Sequence, residues 1–309
     1  MTGIDLLVQQ GINGLSLGAL YALLALGFTL VYGILELINF SHFNVFMVGS
    51  FVALWILQAL GVSGQSTVAT GWTLAALLGA ALAGTMLATG LLGVLIERVC
   101  LRPLRGVRGP AAMITTIGVS YILFNLVLLG AGADAKNFPN PLPPLTLAIG
   151  GAVLRLREVL IWALAALLAG GLYWFVQRTR MGRAMRATAQ DAEAARMMGV
   201  EVDRVVVTAF FLGSALAGAA GMVFGLYYNT TSFLVGYSAG LRAFTAAVLG
   251  GIGSVPGAVA GGLAIGLIEA ASGQLLSTAW TDVVVFLILV GVLVVRPAGF
   301  FGRMAPNRA

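Results

Sequence analysis

Three side chains suited to covalent or ligand chemistry occur once each, His42, Cys100 and Lys136. A serine–histidine–acid triad would rest on His42, and no Gly-x-Ser-x-Gly elbow accompanies it. A zinc centre needs several cysteines and histidines, and one of each is too few. Lys136 stands in "ADAKNFP" without the Gly-x-x-x-x-Gly-Lys-Ser/Thr cradle that grips nucleotide phosphates. The lone cysteine also excludes an intrachain disulfide. Polar contact with a solute remains, and two groups suit it. Asn39, His42 and Asn44 cluster in "NFSHFN". Thr245, Gly253, Ser254 and Pro256 lie in a glycine-rich stretch interrupted by proline.

These residues sit in a chain of 309 residues that is 60% hydrophobic and 9% charged, more apolar side chain than a soluble domain of this size could hide. Lipid is its solvent, and runs of about 20 apolar residues, enough to cross about 30 Å of hydrocarbon, recur along it. Spans are predicted at 11–34, 40–60, 72–96, 111–130, 159–177, 205–228 and 280–295, with a broken segment at 241–271. The expected fold is a single all-α domain over 1–309, a polytopic bundle of about eight membrane segments including a broken or re-entrant pair. A β-barrel would show alternating strands of about 10 residues, the wrong period for these runs. The N-terminus carries Asp5 rather than the basic start of a signal peptide, so the first span is expected to persist. The net charge of +6 does not indicate nucleic acid, because the arginines flank spans instead of lining one soluble face.

Basic residues beside span ends mark the cytoplasmic side. Arg98, Arg102, Arg105 and Arg108 follow the third span, Arg178, Arg180, Arg183 and Arg186 the fifth, and Arg296, Arg303 and Arg308 the last. This places the N-terminus outside and the C-terminus in the cytoplasm, with the uncharged loops 61–71 and 229–240 and the mixed loop 131–158 outside. Parity then requires 241–271 to enter and return on one side. Residues 241–252 as a helix would reach only about 18 Å, and Gly250, Gly251, Gly253 and Pro256 interrupt it. Two half-helices or two short tilted crossings fit, and the N-terminal dipole of a helix starting near Ser254 would face the bilayer interior. Gly213, Ala217, Gly221 and Gly225, and Gly250, Ser254, Ala258, Gly262 and Gly266, recur every four residues as packing stripes. Glu36, Arg242 and Glu269 end apolar segments and are expected to snorkel to an interface.

The segment 178–204 holds six of the sixteen arginines and ten of the twenty-eight charged residues. From Met181 to Gly199 it is rich in helix formers and predicts one helix capped at Gly199. Met181, Met185, Ala189, Ala192 and Met197 would form an uneven apolar stripe on a cytoplasmic knob suited to gripping a peripheral protein.

"EAARMMG", Glu193 to Gly199, fits the Glu-Ala-Ala-x-x-x-Gly core of the coupling segment by which importer permeases engage their ATPases. "RMGRAMRA", "IERVCLRPLR", "YALLALGFTLVYGILELINFSH" and "AFTAAVLGGIGSVPGA" resemble, in order and over nearly the whole chain, permeases of branched-chain amino-acid (LIV-type) ATP-binding-cassette importers. The resemblance implies a non-enzymatic half-permease of the bacterial inner membrane that binds no cofactor itself. A second permease subunit, homo- or heterodimeric, two ATPase subunits that use the ATP, and a periplasmic binding protein would complete it. Arg180, Gly182, Arg183, Arg186, Glu193, Ala194, Ala195 and Gly199 would then serve ATPase coupling, and Asn39, His42, Asn44, Thr245, Gly253, Ser254 and Pro256 the pathway. The family pattern Asn-Phe-Ala-His-Gly-Glu departs at Ser41, Phe43 and Asn44, which replaces a carboxylate and adds a ring. An importer of urea, amides or aromatic compounds, an ATP-independent transporter or channel, and a purely structural membrane subunit are the competing readings.

Overall fold

The computed structural model describes residues 3–62, 70–105, 110–296 and 298–302. Arg108, Arg303, Arg308 and part of the 61–71 loop lie outside the described residues. The helices are α1 (Gly3–Leu35), α2 (Ser41–Ala59), α3 (Gly71–Ile96), α4 (Ala111–Ala131), α5 (Leu156–Arg178), α6 (Arg180–Gln190), α7 (Ala192–Met197), α8 (Val202–Tyr228), α9 (Val235–Gly250), α10 (Val255–Leu275) and α11 (Thr281–Val295). A π-helical turn, Glu97–Leu101, and a 3-10 turn, Arg102–Leu104, extend α3, and a second 3-10 turn, Thr278–Trp280, precedes α11. Among the described residues, eight helices are long and apolar enough to cross a membrane, all but α6, α7 and α9.

Lipid tails give apolar helices no hydrophobic reason to associate, so the bundle must cohere through close packing. α1, α2 and α8 are buried over most of their apolar length, whereas α4, α5 and α11 lie mostly bare at the rim. Glycines set the approach. A Cβ on Gly18 would stand 2.7 Å from the Leu263 Cα, and one on Gly213 2.8 Å from the Gly27 carbonyl oxygen. A Cβ on Gly49 would lie 2.6 Å from the Gly218 Cα, so α8 meets α1 and α2 backbone to backbone. The stripe Gly213, Ala217, Gly221 and Gly225 is buried, as a packing wall requires. The second stripe is cut by the chain break. Gly250 ends α9, while Ala258, Gly262 and Gly266 ride on α10, where the two glycines face α1.

The break at 251–254 is where the glycines predict it, with Gly251 and Gly253 at positive φ. The helices it joins correct the expectation of half-helices. α9 has 16 residues and α10 has 21, enough for α10 to cross in full. The pair is a hairpin in which Gly257 packs on Gly250.

The long loop after α4 carries structure that no sequence periodicity announced. β1 (Lys136–Asn137) pairs antiparallel with β4 (Thr230–Thr231), matching Lys136 to Thr231. β2 (Thr146–Ile149) and β3 (Ala152–Arg155) form a hairpin with Thr146 opposite Arg155. The hairpin is pinned to the start of α1, where Asp5 Oδ1 accepts from the Gly151 N–H at 2.9 Å and Gln9 Oε1 from the Val153 N–H at 2.8 Å.

Gly18→Val forces a branched side chain against the Leu263 backbone. The expected cost is about 1–3 kcal/mol, read as a lower thermal midpoint in detergent. Gly79→Ala, inside α3 where nothing lies within 4 Å, keeps or slightly raises the midpoint.

Candidate functional site

α1 ends at Leu35, and 36–39 are non-helical, starting at Glu36 with a positive φ of 52°. α2 does not start level with that end. The His42 ring lies beside Gly27 and places Nε2 3.2 Å from the Leu24 carbonyl, so Nε2 carries the donating proton. Gly27 precedes Leu35 by eight residues, about 12 Å at 1.5 Å per residue, so the connector doubles back along α1. Non-helical backbone at such depth survives only with its polar groups satisfied or facing a water-filled cavity.

The polar residues of this seam supply partners. Asn39 Oδ1 accepts from the Ser41 N–H at 3.1 Å and from Ser41 Oγ at 2.5 Å, which satisfies a first-turn donor of α2. The Phe40 N–H donates to Thr116 Oγ1 on α4 at 3.2 Å. Asn44 Nδ2 donates to the Ser120 carbonyl at 2.8 Å and to Ser120 Oγ at 2.6 Å. Asn39, His42 and Asn44 are all buried at the start of α2, but His42 turns to α1 and Asn44 to α4, so the structure brings them to one helix end and not to a common contact.

The other pathway candidates lie apart. Thr245 is buried on α9 and donates to the Leu241 carbonyl at 2.9 Å. Ser254 caps α10 by accepting the Gly257 N–H at 3.2 Å, with Pro256 in the first turn. Gly253 and Pro256 are exposed. Gly253 packs beside Gly33, and the C-terminal segment closes on the same turn through Phe300 N–H to Leu249 O and Phe301 N–H to Gly250 O, both 3.0 Å.

Arg242 and Glu269 meet each other near the ends of their helices. Arg242 Nη1 lies 3.1 Å from Glu269 Oε1, Nη2 is 2.6 Å from Asp282 Oδ1, and Nη1 reaches the Tyr21 hydroxyl at 3.4 Å. The pair joins α9 to α10, α11 and α1, with Asp282 on its solvent-exposed side. Tyr21 and Asp282 gave no sequence signal, since their role depends on which helices are neighbours. Glu36, by contrast, is exposed.

The polar insert is two helices instead of one. Asp191 adopts an extended conformation and its Oδ1 accepts the Glu193 and Ala194 N–H groups, each at 3.0 Å, so it ends α6 and caps α7. Met185 faces the bundle at 2% exposure, and the apolar tip is Met197 and Met198, each 84% exposed. Gly199 has a φ of 83°, as its capping position requires. Thr179 Oγ1 accepts the Gly182 N–H at 3.0 Å, and a Cβ on Gly182 would collide with the Phe175 and Val176 carbonyls, so the α5–α6 corner needs glycine. Arg186 folds back to donate to the Val176 carbonyl, while Arg180, Arg183, Glu193 and Ala194 are exposed and Ala195 is buried.

A crossing bundle with an unwound polar seam and a protruding polar helix pair defines a multi-pass membrane conduit subunit. The family model "Branched-chain amino acid transport system / permease component" matches residues 11–293. The chain is 42% identical over 301 residues, 96% of each chain, to the Escherichia coli K12 high-affinity branched-chain amino acid transport system permease protein LivH. It is 39% identical over 300 residues, again 96% of each, to BraD of Pseudomonas aeruginosa, which carries the same description. The autoinducer 2 import system permease protein LsrC of Klebsiella pneumoniae is 32% identical over 61% of this chain and 56% of its own. No solved structure matches. The chain belongs to the branched-chain amino acid transport permease family and is the non-catalytic membrane component of an ATP-binding-cassette system, which works with ATPase and binding-protein partners.

Arg242→Met leaves Glu269 without its cation and is expected to cost up to about 3–5 kcal/mol, at the low end because Asp282 is open to solvent. Glu269→Gln keeps the Asp282 pair and should lower the detergent melting midpoint less.

Proposed function

We propose that the chain is one of two permease subunits that together carry branched-chain amino acids across a bacterial inner membrane. In this reading two ATPase subunits dock on the cytoplasmic face and a periplasmic binding protein delivers cargo outside. The N-terminus and the β2–β3 hairpin face the periplasm and α6–α7 and the C-terminal segment the cytoplasm, which requires the 16-residue α9 to cross with α10 as the two arms of their hairpin. The chain binds no cofactor, since nucleotide turnover belongs to the ATPases. The permeases LivH and BraD, so similar along nearly their whole length, support the cargo class.

The observation that carries the reading is α6–α7 itself. It lies at the end of the bundle where the basic clusters gather, buries Gly182, Met185 and Ala195, and exposes Met197, Met198, Arg183 and Glu193. Methionines exposed to water are out of place on a solvated loop, yet they suit an adaptable protein contact. Motion delivered there enters α8, whose buried stripe runs along α1 and α2 past the His42 seam. At that seam Asn39, His42 and Asn44 serve the pathway, with Thr245 and the Ser254 turn as the moving wall.

The test is ATPase retention together with uptake. Met198→Asp and Arg183→Glu should each lower the ATPase co-purifying with the permease by about tenfold, the size of a contact hot spot. Arg186→Glu should act on the fold instead, because its guanidinium closes α5. Uptake of radiolabelled leucine into vesicles should be competed by isoleucine and valine and abolished without ATP. Uphill uptake by the purified chain alone would refute the reading.

Asn44→Ala removes both bonds to Ser120 and frees the first turn of α2 from α4. Leucine uptake is expected to fall about tenfold at unchanged membrane abundance, which a blot of the membrane fraction checks.

A further inference from the structure

At the α6–α7 end of the bundle, four charges join helices that the chain keeps far apart. Glu97 begins the π-helical turn that ends α3, and its side chain has 0% exposure. Its Oε1 pairs with Arg105, and its Oε2 is buried with no hydrogen-bond partner among the described residues. Arg105 Nη1 lies 2.5 Å from Asp203 Oδ1, and Arg102 Nη2 lies 2.7 Å from Asp203 Oδ2. Asp203 sits in the first turn of α8, where an acidic side chain also complements the helix dipole.

We propose that Glu97, Arg105 and Asp203 form a positioning lock that ties the end of α3 to the first turn of α8, so that displacement of α6–α7 moves both helices together. The inference rests on the reading that α6–α7 docks the ATPase.

Three features carry it. The connection from α7 to α8 has little slack, because the Val200 N–H bonds the Ala195 carbonyl at 3.0 Å and the Val202 N–H the Val200 carbonyl at 2.9 Å. A push on α7 therefore reaches Asp203 directly. Along their length α3 and α8 pack closely, with Gly93 against Ser214, Gly218 against Thr89 and Gly90 against the Phe211 ring. The charged end adds to this packing a tie that fixes the register of the two helices. The lock is also asymmetric. Asp203 is half exposed and would contribute little as an isolated surface pair, whereas Glu97 is sealed away and depends on Arg105 for its counter-charge. Arg105 is thus held from the buried side and grips α8 from the open side. A π-turn, a common feature of functional sites, re-aims the chain there.

Cys100, the sole cysteine, lies partly exposed within this π-turn and reports on it without engineering. The experiment uses the whole assembly, permeases with ATPase and binding protein, reconstituted in liposomes. Leucine uptake per ATP hydrolysed is measured, and the rate of Cys100 alkylation by N-ethylmaleimide is followed by mass spectrometry with and without ATP. The wild type should alkylate Cys100 at different rates in the two conditions. Asp203→Asn should retain its ATPase, lose that difference and lower uptake per ATP by about fivefold or more, the scale of a typical coupling between sites. Asp203→Glu should restore both, and Glu97→Gln should resemble Asp203→Asn if it folds. Wild-type coupling and an unaltered ATP-dependent Cys100 rate in Asp203→Asn would overturn the lock, and so would loss of the ATPase from that variant, which would make Asp203 part of the docking surface. Failure of the docking reading shows elsewhere, as full ATPase retention by Met198→Asp and Arg183→Glu.

Discussion

Hydrocarbon offers no hydrogen bonds to a loose backbone and little reason for apolar helices to pack, and the rest of the molecule depends on how that constraint is met. Gly18, Gly27, Gly49, Gly213 and Gly218 bring α1, α2, α8 and α10 into near-backbone contact, where dispersion and shape hold them. Contacts of this kind are close but smooth. They give a bundle that coheres while its helices remain able to shift along one another.

The same constraint decides where polarity is allowed. The unwound connector into α2 lies alongside α1 because Asn39, Thr116 and the seam around His42 and Asn44 satisfy the groups a helix would have satisfied. Arg242 and Glu269 pair with each other, and Asp282 and Tyr21 share the guanidinium. Each polar feature therefore fastens particular helices together, α1 with α2 and α4 at the seam, and α9 with α10 and α11 at the ion pair. A conduit assembled from smooth contacts keeps its register through a few polar fasteners.

Against this background α6–α7 is a short polar helix pair joined to α8. Gly182 and Thr179 set its corner, Asp191 divides it, and its tip is the exposed methionine pair. α8 continues from it through the densest part of the bundle. The chain is the non-catalytic membrane component of its system, as its family membership shows.

Much of this was legible in the residues themselves. Apolar run length placed the crossing helices within a few residues, except that α1 begins at Gly3 and not near residue 11, and the glycines and Pro256 marked the break after α9. Both are local properties, set by neighbouring residues and by the solvent each segment must meet. Tertiary structure decided the rest. The depth of His42 on α1, the pairing of Arg242 with Glu269, and the inward turn of Met185 each depend on which helix lies alongside. The division at Asp191 is local but uses a capping bond that competes with a continuous helix, and helix-forming composition alone does not reveal which prevails. Sequence thus determined which segments enter the membrane and where polarity is concentrated, because transfer into lipid acts on each segment separately. Only the packed bundle decided which polar groups meet, because that depends on the spatial order of helices far apart in the chain.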